Sequence, residues 1–380
     1  MSTTAAGPRE LRTTGTSKKL NFFHVRNWQG MPMGVWYRLF LRNGLAFSPS
    51  RLLQVFRMSV FSPFNTIFHG LDRLTYGRRV ARTAPPHPPL FIIGHWRTGT
   101  TLLHEMLVRD PQFAFPTTFQ VMCPHHFLFT SGFIPRLMSH ALPTNRPMDN
   151  MPVGFDRPQE DEFALCNMGV PSPYEKWAFP NRPDTPDSLD LDSLPPKDLE
   201  RWLSAMSLFL RRLAVKDSRR QVMKSPTHTA RVGHLARAFP GAQFVHIVRD
   251  PRDVFPSTVH TWKQIWDSVG FQTPNFAGIE EYVLSRFERM YASFDRERER
   301  LAEGQLHELR YEDLIRDPVG EVEKVYRRLG LSGFEEARPR LEEHAAKSRE
   351  YKPNRHQLPE ETWSKISTRW AGYIARHGYS

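Results

Sequence analysis

The chain has 380 residues, of which 39% are apolar and 12% aromatic. This is enough to bury the core of one large or two modest globular units, and it excludes disorder throughout. No apolar run approaches the ~20 residues of a membrane-spanning helix, and the N-terminus lacks the apolar stretch of a secretory signal. The presence of only two cysteines excludes a disulfide scaffold and a four-cysteine zinc site, so we expect a reducing, cytoplasmic location.

The formal charge of +12 is concentrated near the N-terminus. Residues 1–82 carry thirteen Lys and Arg residues against only Glu10 and Asp72, a balance of +11, and the rest of the chain is close to neutral. We therefore divide the chain into a flexible tail (1–19), a basic amphipathic helical N-terminal extension (20–84) and a main domain (85–380) that begins at a cluster of prolines.

The N-terminal extension has aromatic and aliphatic residues at helical spacing, for example Val35, Trp36, Leu39 and Phe40. Two interpretations of these helices are open. In the first they pack against the main domain. In the second they form a peripheral contact with a membrane or a membrane-borne partner, because basic polar faces beside Trp and Phe suit anionic headgroups.

The main domain alternates short apolar runs with helical patterns. Predicted strands cover residues 90–93, 221–223, 244–248 and 306–309, and predicted helices cover residues 101–108, 199–213, 230–239, 252–266, 280–300 and 320–329. This alternation predicts an α/β fold with a mostly parallel central sheet flanked by helices. Residues 171–196 contain seven prolines and are predicted to form a loop or lid rather than a core element.

The first predicted strand leads into the segment GHWRTGTT, residues 94–101, and then into a helix. Backbone N–H groups in such a turn, together with the helix N-terminus, bind anions. The segment fits the phosphate-loop template G-x-x-x-x-G-K-S/T except that Thr100 replaces the lysine. Because that lysine reaches the β- and γ-phosphates in NTPases, its absence argues against γ-phosphoryl transfer. Arg97 supplies a cation from within the loop, and the fold is predicted to be P-loop-like.

A second anion site is indicated where the strand 244–248 ends in Arg249. Ser257 follows eight residues later, in the next predicted helix. Strand ends and helix N-termini of a parallel sheet face the same crevice, so these two residues could bind one phosphate together. The alternative is a surface ion pair between Arg249 and Asp250 or Asp253.

Four segments in this order resemble those of sulfotransferases. GHWRTGTTLLHEML resembles their 5′-phosphosulfate loop, and HIVRDPRDVFPS resembles their 3′-phosphate motif, with the same Arg-to-Ser spacing. Lys224-Ser225-Pro226 is similar to the family's strand-end lysine segment, and LRYEDL, residues 309–314, is similar to a late segment whose tyrosine lies by the adenine. The resemblance spans roughly residues 90–330. It implies a nucleotide-type α/β fold that binds 3′-phosphoadenosine 5′-phosphosulfate (PAPS) without a metal ion.

The resemblance also implies roles for individual residues. The 5′-phosphosulfate end would be bound by Arg97, Thr98, Gly99, Thr100 and Thr101. The 3′-phosphate would be bound by Arg249 and Ser257, the adenine would be bordered by Tyr311, and Lys224 would lie near the transferring sulfuryl group. Lys352 and Arg355, in a late basic segment, are further predicted contacts of the 3′-phosphate, with a solvated charge cluster as the alternative.

Transfer to a hydroxyl requires a group that takes the acceptor proton. The histidine that cytosolic members place two residues after the strand-end lysine is replaced here by Pro226, and the glutamate of protein-tyrosine members is absent from its expected stretch. Four residues are predicted as bases: Glu160 and Glu162 in an acidic cluster, and His104 and His228 close to the two motifs. For the acids the alternative role is at a helix N-terminus, where their negative charge interacts favourably with the helix dipole. For the histidines the alternative role is packing in the core.

We therefore predict a sulfotransferase that moves a sulfuryl group from PAPS to an acceptor hydroxyl on a small molecule, a glycan or a lipid. No metal ion and no nucleic acid are expected, since no recognised nucleic-acid module is present. Two alternatives are open, an atypical P-loop kinase and a basic membrane-associated binding protein.

Overall fold

The computed structural model describes residues 28–139, 154–183, 187–348 and 358–379. Within these residues the sheet has five strands in the order β2-β3-β1-β4-β5, and all four pairings are parallel. The strands are β1 (Leu90–Ile93), β2 (Phe113–Ala114), β3 (Arg220–Lys224), β4 (Gln243–Val248) and β5 (Leu306–Arg310). The four predicted strands are confirmed. The fifth, β2, has only two residues, too few for a periodic signal.

Helices lie before, between and after the strands. In chain order they are α1 (Met33–Arg42), α2 (Leu52–Arg82), α3 (Thr100–Leu107), α4 (Thr118–Met122), α5 (Phe127–Thr130), α6 (Ile134–Leu137), α7 (Glu162–Asn167), α8 (Glu175–Ala178), α9 (Asp187–Asp190), α10 (Pro196–Lys216), α11 (Val232–Ala238), α12 (Pro251–Val269), α13 (Ile279–Arg298), α14 (Tyr311–Arg316), α15 (Pro318–Leu329), α16 (Phe334–Ser348), α17 (Glu360–Arg369) and α18 (Ala371–His377). Short 3-10 helices cover Pro49–Arg51 and Pro226–Arg231.

Strands β1, β3 and β4 are buried along nearly their whole length. Since successive side chains point to opposite sides of the sheet, both faces of these strands are covered. In β1, Leu90 and Ile92 pack in a core with α3, α15 and α16, whereas Phe91 and Ile93 pack in a core with α10, α12 and α13. The helices therefore flank both faces of a parallel sheet, which confirms the predicted α/β architecture.

The register of the sheet positions the site. Strand β1 lies between β3 and β4, with Ile92 opposite Lys224 and Ile93 opposite His246. Because the strands are parallel, the end of β1, the end of β3 and the start of α12 meet at one edge of the sheet. The phosphate-loop segment therefore emerges between Lys224 and Arg249.

The N-terminal extension packs into the core of the main domain. Trp28 and Trp36 are fully buried, and the indole nitrogen of Trp28 donates to the Val269 carbonyl at 3.2 Å. The predicted stripe of α1, which includes Trp36 and Phe40, is buried as expected for an amphipathic helix, and both rings contact Phe271. No helix in the described residues is long and apolar enough to cross a membrane.

The proline-rich stretch 171–196 is not only a loop. Its described residues include the short helices α8 and α9, and they place Tyr174, Trp177, Phe179 and Leu189 in the core. The prediction of a loop or lid is therefore wrong for these residues. Prolines interrupt the helical periodicity here, so the local pattern gave no sign of burial.

Candidate active site

The segment after β1 forms a tight turn that requires both of its glycines. Gly94 and Gly99 have φ values of +147° and +98°, which L-residues with a side chain rarely adopt. A Cβ atom on Gly99 would lie 2.4 Å from the ring of Tyr311, and one on Gly94 would lie 2.5 Å from the Ile247 carbonyl oxygen. The loop thus lies directly against β4 and α14, and Gly99 precedes the first turn of α3.

Arg97 connects the loop to the second predicted anion site. Its Nε donates to Ser257 Oγ at 3.0 Å, and its carbonyl oxygen accepts from Arg249 Nη1 at 3.2 Å. Its φ of +71° is a strained value for a residue other than glycine, and such values cluster at functional sites. The residues assigned to the two ends of the donor are therefore in direct contact.

Arg249 is buried and held from several sides. Its guanidinium lies 4.3 Å from the centre of the Tyr311 ring and forms an ion pair with Asp253 at 2.9 Å, whereas its Nε has no hydrogen-bond partner in the described residues. Its backbone N–H donates to the hydroxyl of Tyr373, which in turn donates to the Arg249 carbonyl, both at 3.0 Å. This support from Tyr373, which lies on α18, was not predicted.

Lys224 and Glu160 form the central ion pair of the site. Lys224 Nζ lies 2.8 Å from Glu160 Oε1, and the Lys224 side chain is almost fully buried while Glu160 keeps some exposure. The hydroxyl of Tyr174 donates to the other carboxylate oxygen of Glu160. Burial, and next the negative charge of Glu160, raise the pKa of Tyr174 well above its usual value, so this hydroxyl stays protonated and acts as a donor.

Glu162 is buried two residues further on, and protein groups occupy both of its oxygens. Arg231 Nη1 lies 2.5 Å from Oε2, which also accepts from the Thr227 hydroxyl at 2.8 Å. The Ser172 hydroxyl donates to Oε1 at 2.6 Å. The ion pair with Arg231 anchors α7 to the Pro226–Arg231 turn, so Glu162 faces the interior.

His228 forms a buried pair with Asp161, at 2.5 Å between Nε2 and Oδ2. Burial alone would raise the pKa of Asp161, but the charge and hydrogen bond of His228 outweigh it and lower that pKa. The ring of His228 packs edge-on against Phe91 and Trp202. The pair therefore orients the turn that carries Glu160.

His104 lies on the second turn of α3 and is almost fully buried. Burial, and next the nearby charge of Lys224, lower its pKa to about 3, so the ring is neutral at physiological pH. One ring nitrogen is hydrogen-bonded to the Val222 carbonyl, and Nε2 has no partner in the described residues. His104 is thus the predicted histidine that lies beside Lys224.

The remaining predicted residues differ in exposure. The Thr98 hydroxyl is buried and donates to the His95 carbonyl at 2.7 Å, so that group stabilises the turn. Thr100 is buried at the start of α3, and Thr101 is half-buried. Contact of these threonines with a ligand stays a prediction. Lys352 and Arg355 lie outside the described residues.

An aromatic group beside Glu160 was not predicted as part of the site. The ring of Tyr174 stacks on Trp177 with centroids 3.8 Å apart, and Trp96 of the loop donates to the Tyr174 hydroxyl at 3.4 Å. Trp262 contacts both tryptophans. Two signals were available, Trp96 inside the loop motif and the aromatic, proline-rich stretch 171–180. No group of three or more metal-ligating side chains occurs in the part of the chain that the structure describes.

Comparisons with known proteins agree on the family. The profile of the sulfotransferase family matches residues 88–336. The chain is 40% identical to the omega-hydroxy-beta-dihydromenaquinone-9 sulfotransferase Stf3 of Mycobacterium bovis. The alignment spans 372 residues, which are 98% of this chain and 96% of the relative. The Stf3 protein of Mycobacterium tuberculosis gives the same values.

Two solved structures have the same fold. Sulfotransferase STF9 from Mycobacterium avium superposes with a TM-score of 0.64 at 17% identity, covering 92% of this chain and 97% of that one. Sulfotransferase STF1 from Mycobacterium tuberculosis superposes with a TM-score of 0.61 at 18% identity, covering 90% of this chain and 91% of that one. Because the family profile covers well over half of the chain, the kinase and the binding protein are both excluded. The chain is an enzyme, and it belongs to the sulfotransferase family.

Proposed function

We propose that the enzyme transfers the sulfuryl group of PAPS to the hydroxyl of a lipid-like acceptor. The observation that carries the proposal is the contact of Arg97 with both Ser257 and Arg249, which joins a lysine-free phosphate loop to a second cationic site. A donor with phosphate groups at its 5′ and 3′ positions needs two such sites next to each other in one cleft. A nucleoside triphosphate has no 3′-phosphate to occupy the second.

The residues of the cleft fit PAPS. The Nε of Arg249, beside the Tyr311 ring, is buried and has no hydrogen-bond partner among the residues that the structure describes, and a buried N–H without a partner is costly unless a ligand satisfies it. The phosphosulfate end would be held by the loop residues Arg97, Gly99, Thr100 and Thr101. The 3′-phosphate would be held by Arg249 and Ser257, and the adenine would lie against Tyr311. Bound PAPS supplies an activated sulfuryl group. We propose that no metal ion takes part, because cations and N–H donors neutralise the charge that develops.

We propose Glu160 as the general base. It is the acid of the cluster that keeps exposure, and it lies 2.8 Å from Lys224, the residue assigned to the reacting end of the donor. Glu162 and His228 are held by buried partners. Burial lowers the pKa of His104 to about 3, so its ring is a poor proton acceptor. Glu160 therefore takes the proton from the acceptor hydroxyl, and Lys224 places positive charge beside the departing phosphate oxygen.

The acceptor is proposed from the relative and from the aromatic group. The relative's name gives an omega-hydroxylated dihydromenaquinone, and the 40% identity extends over nearly the whole of both chains. The Tyr174 hydroxyl donates to Glu160, and Trp96 donates to that hydroxyl, so the surroundings of the proposed base are aromatic. We propose a prenylated quinone alcohol as the acceptor, a peripheral membrane contact and a cytoplasmic location. Two free thiols, Cys123 and Cys166, are compatible with that location.

The test is an assay with radiolabelled PAPS and two quinones that differ only in the terminal hydroxyl. We expect label in the organic phase only with the hydroxylated quinone, and we expect the rate to be unchanged by EDTA. Transfer to small water-soluble alcohols alone would contradict the proposed acceptor. Transfer of label from labelled ATP with Mg²⁺, but not from labelled PAPS, would contradict the proposed donor.

A further inference from the structure

Helix α2 packs with its polar side inward. The side chains that it buries include Gln54, Ser62, Asn65 and Asp72. A surface helix of a globular protein normally buries an apolar stripe and exposes polar residues. The arrangement of α2 is therefore the reverse of the usual one, although the helix has 31 residues and ample apolar side chains.

Specific hydrogen bonds fix this orientation. Gln54 Nε2 donates to the Val269 carbonyl at 2.9 Å, and Asn65 Nδ2 donates to the Met31 carbonyl at 3.1 Å. About three turns before the end of the helix, Asp72 forms a buried ion pair with Arg212 at 2.8 Å. Rotating α2 to bury its apolar side would break all of these contacts. The exposed side is therefore a fixed feature of the fold.

The exposed side forms a continuous apolar face. Its members follow one another at intervals of three or four residues, which places them on one side of the helix: Leu53, Phe56, Val60, Phe64, Ile67, Leu71 and Leu74, here named the α2 apolar face. The least exposed member, Leu71, has a relative exposure of 37%, and Leu74 reaches 83%. At 1.5 Å per residue the face is ~30 Å long. Contiguous exposed apolar patches of this kind mark interaction surfaces.

The exposed charges on α1 and α2 are all of one sign. Exposed arginines on α2 include Arg73, Arg78 and Arg82, and Arg78 and Arg82 continue the line of the face one and two turns beyond Leu74. The only acidic residue in residues 28–82 is Asp72, which is buried against Arg212. The surface therefore combines apolar side chains with cations and has no exposed carboxylate on these helices. An anionic lipid surface has this complementary chemistry.

A second copy of the chain fits the face less well. If Leu53, Val60, Ile67 and Leu74 are taken as the a positions of a coiled coil, the d positions are Phe56, Pro63, Gly70 and Gly77. Proline and glycine leave the d layers without side chains that can fill holes on a partner helix. The arginines at the end of the face would also meet their own copies if two helices packed in parallel.

We propose that the α2 apolar face docks the enzyme on an anionic membrane. The helix lies in the plane of the interface, its apolar side chains enter the boundary between headgroups and acyl chains, and Arg78 and Arg82 bind headgroup phosphates. The surface is extended by Phe133, which precedes α6, and by Leu137, which ends it. Both are exposed, and the Phe133 ring contacts Phe68 of α2. The inference rests on the packing of α2 and is independent of the proposed donor and acceptor.

The test is co-sedimentation of the full chain with vesicles of phosphatidylcholine alone or with 30% phosphatidylglycerol. We expect binding to the mixed vesicles and at least tenfold weaker binding of the double variant Phe56→Ser, Phe64→Ser, with an unchanged melting temperature because both side chains are exposed. Ile315→Ser is the matched control, since Ile315 is a similarly exposed apolar residue on α14. It should bind like the wild type. Higher salt should weaken binding, because the arginine contribution is screened.

Two outcomes would overturn the proposal. One is a result with the mixed vesicles in which the wild type and the double variant do not differ, either because both bind equally or because neither binds. The other is a dimer in analytical ultracentrifugation without vesicles that the same double variant dissociates, which would assign the face to a second copy. We expect instead the same sedimentation coefficient for both proteins in the absence of lipid.

Discussion

The cleft at the carboxyl ends of β1, β3 and β4 and the inward side of α2 both bury polar side chains, but the two regions use them differently. In the cleft, Arg249 Nε and His104 Nε2 have no hydrogen-bond partner in the described part of the chain. On α2, Asn65 and Asp72 are hydrogen-bonded to protein groups from other elements. An unpaired buried polar group costs roughly 1–3 kcal/mol.

This difference separates two uses of buried polarity. Unpaired atoms that persist in a cleft indicate a position for a ligand, whereas paired ones determine how an element is oriented. The cleft residues should therefore control catalysis and binding with little effect on folding. The inward residues of α2 should control stability, and its outward apolar residues should contribute little to stability in solution. Each of the following predictions addresses one side of this contrast.

The largest effect is expected from Glu160→Gln, which keeps the shape of the side chain but removes the proton acceptor. We expect kcat to fall by the ~10²–10⁴-fold typical of a general base, with the affinity for PAPS within a few fold of the wild type. Initial-rate kinetics with the quinone alcohol measure both. Asp156→Asn, an exposed acid on the same segment, is the matched control and should leave kcat unchanged. A kcat within tenfold of wild type would exclude Glu160 as the base.

The next effect concerns the stability of α2. Asp72→Ala leaves the buried guanidinium of Arg212 without its partner, and we expect a loss of about 3–5 kcal/mol in the free energy of unfolding. Leu71→Ala changes the exposed neighbour and should stay within ~0.5 kcal/mol of the wild type. Urea unfolding measures both variants. If Leu71→Ala is the more damaging of the two, the apolar face is not exposed in solution and the contrast fails.

These two regions also show how far the sequence determined the structure. The bounds of β1 agree with the prediction, because a strand, a glycine turn and a helix are encoded in consecutive residues. The contacts of Arg97 with Ser257 and Arg249 were not predicted, because they join residues 160 and 152 positions apart in the chain. The orientation of α2 could not be predicted. Periodicity identifies which residues share a face, but the inward face is set by partners such as Arg212, 140 residues away in the chain. Tyr174 was missed for the same reason.

A smaller effect is expected for Arg249→Met, which keeps an apolar contact with Tyr311 but removes the guanidinium. If Arg249 binds the 3′-phosphate, affinity for adenosine 3′,5′-bisphosphate should fall by about 1.5–3 kcal/mol, ten- to a hundredfold. Calorimetry with adenosine 5′-phosphate gives the control, since that ligand lacks the 3′-phosphate and should lose little. Equal losses for both ligands would show that Arg249 acts on the loop through the Arg97 carbonyl rather than on the phosphate.

The smallest effect concerns His104 and the pH dependence of stability. The unfolded chain binds a proton at this ring below pH ~6.5, the ordinary pKa of histidine. The folded chain does so only near its lowered pKa of about 3. The unfolded state therefore binds more protons between these values, and the free energy of unfolding falls as the pH is lowered through this window. His104→Gln removes that difference, so its free energy of unfolding should fall less steeply, by up to ~1.4 kcal/mol per pH unit. Urea unfolding at pH 7 and pH 5 measures the slope. If the free energy of unfolding falls equally steeply with pH in the wild type and the variant, the ring is not kept neutral beside Lys224. His104 would then be a candidate base alongside Glu160.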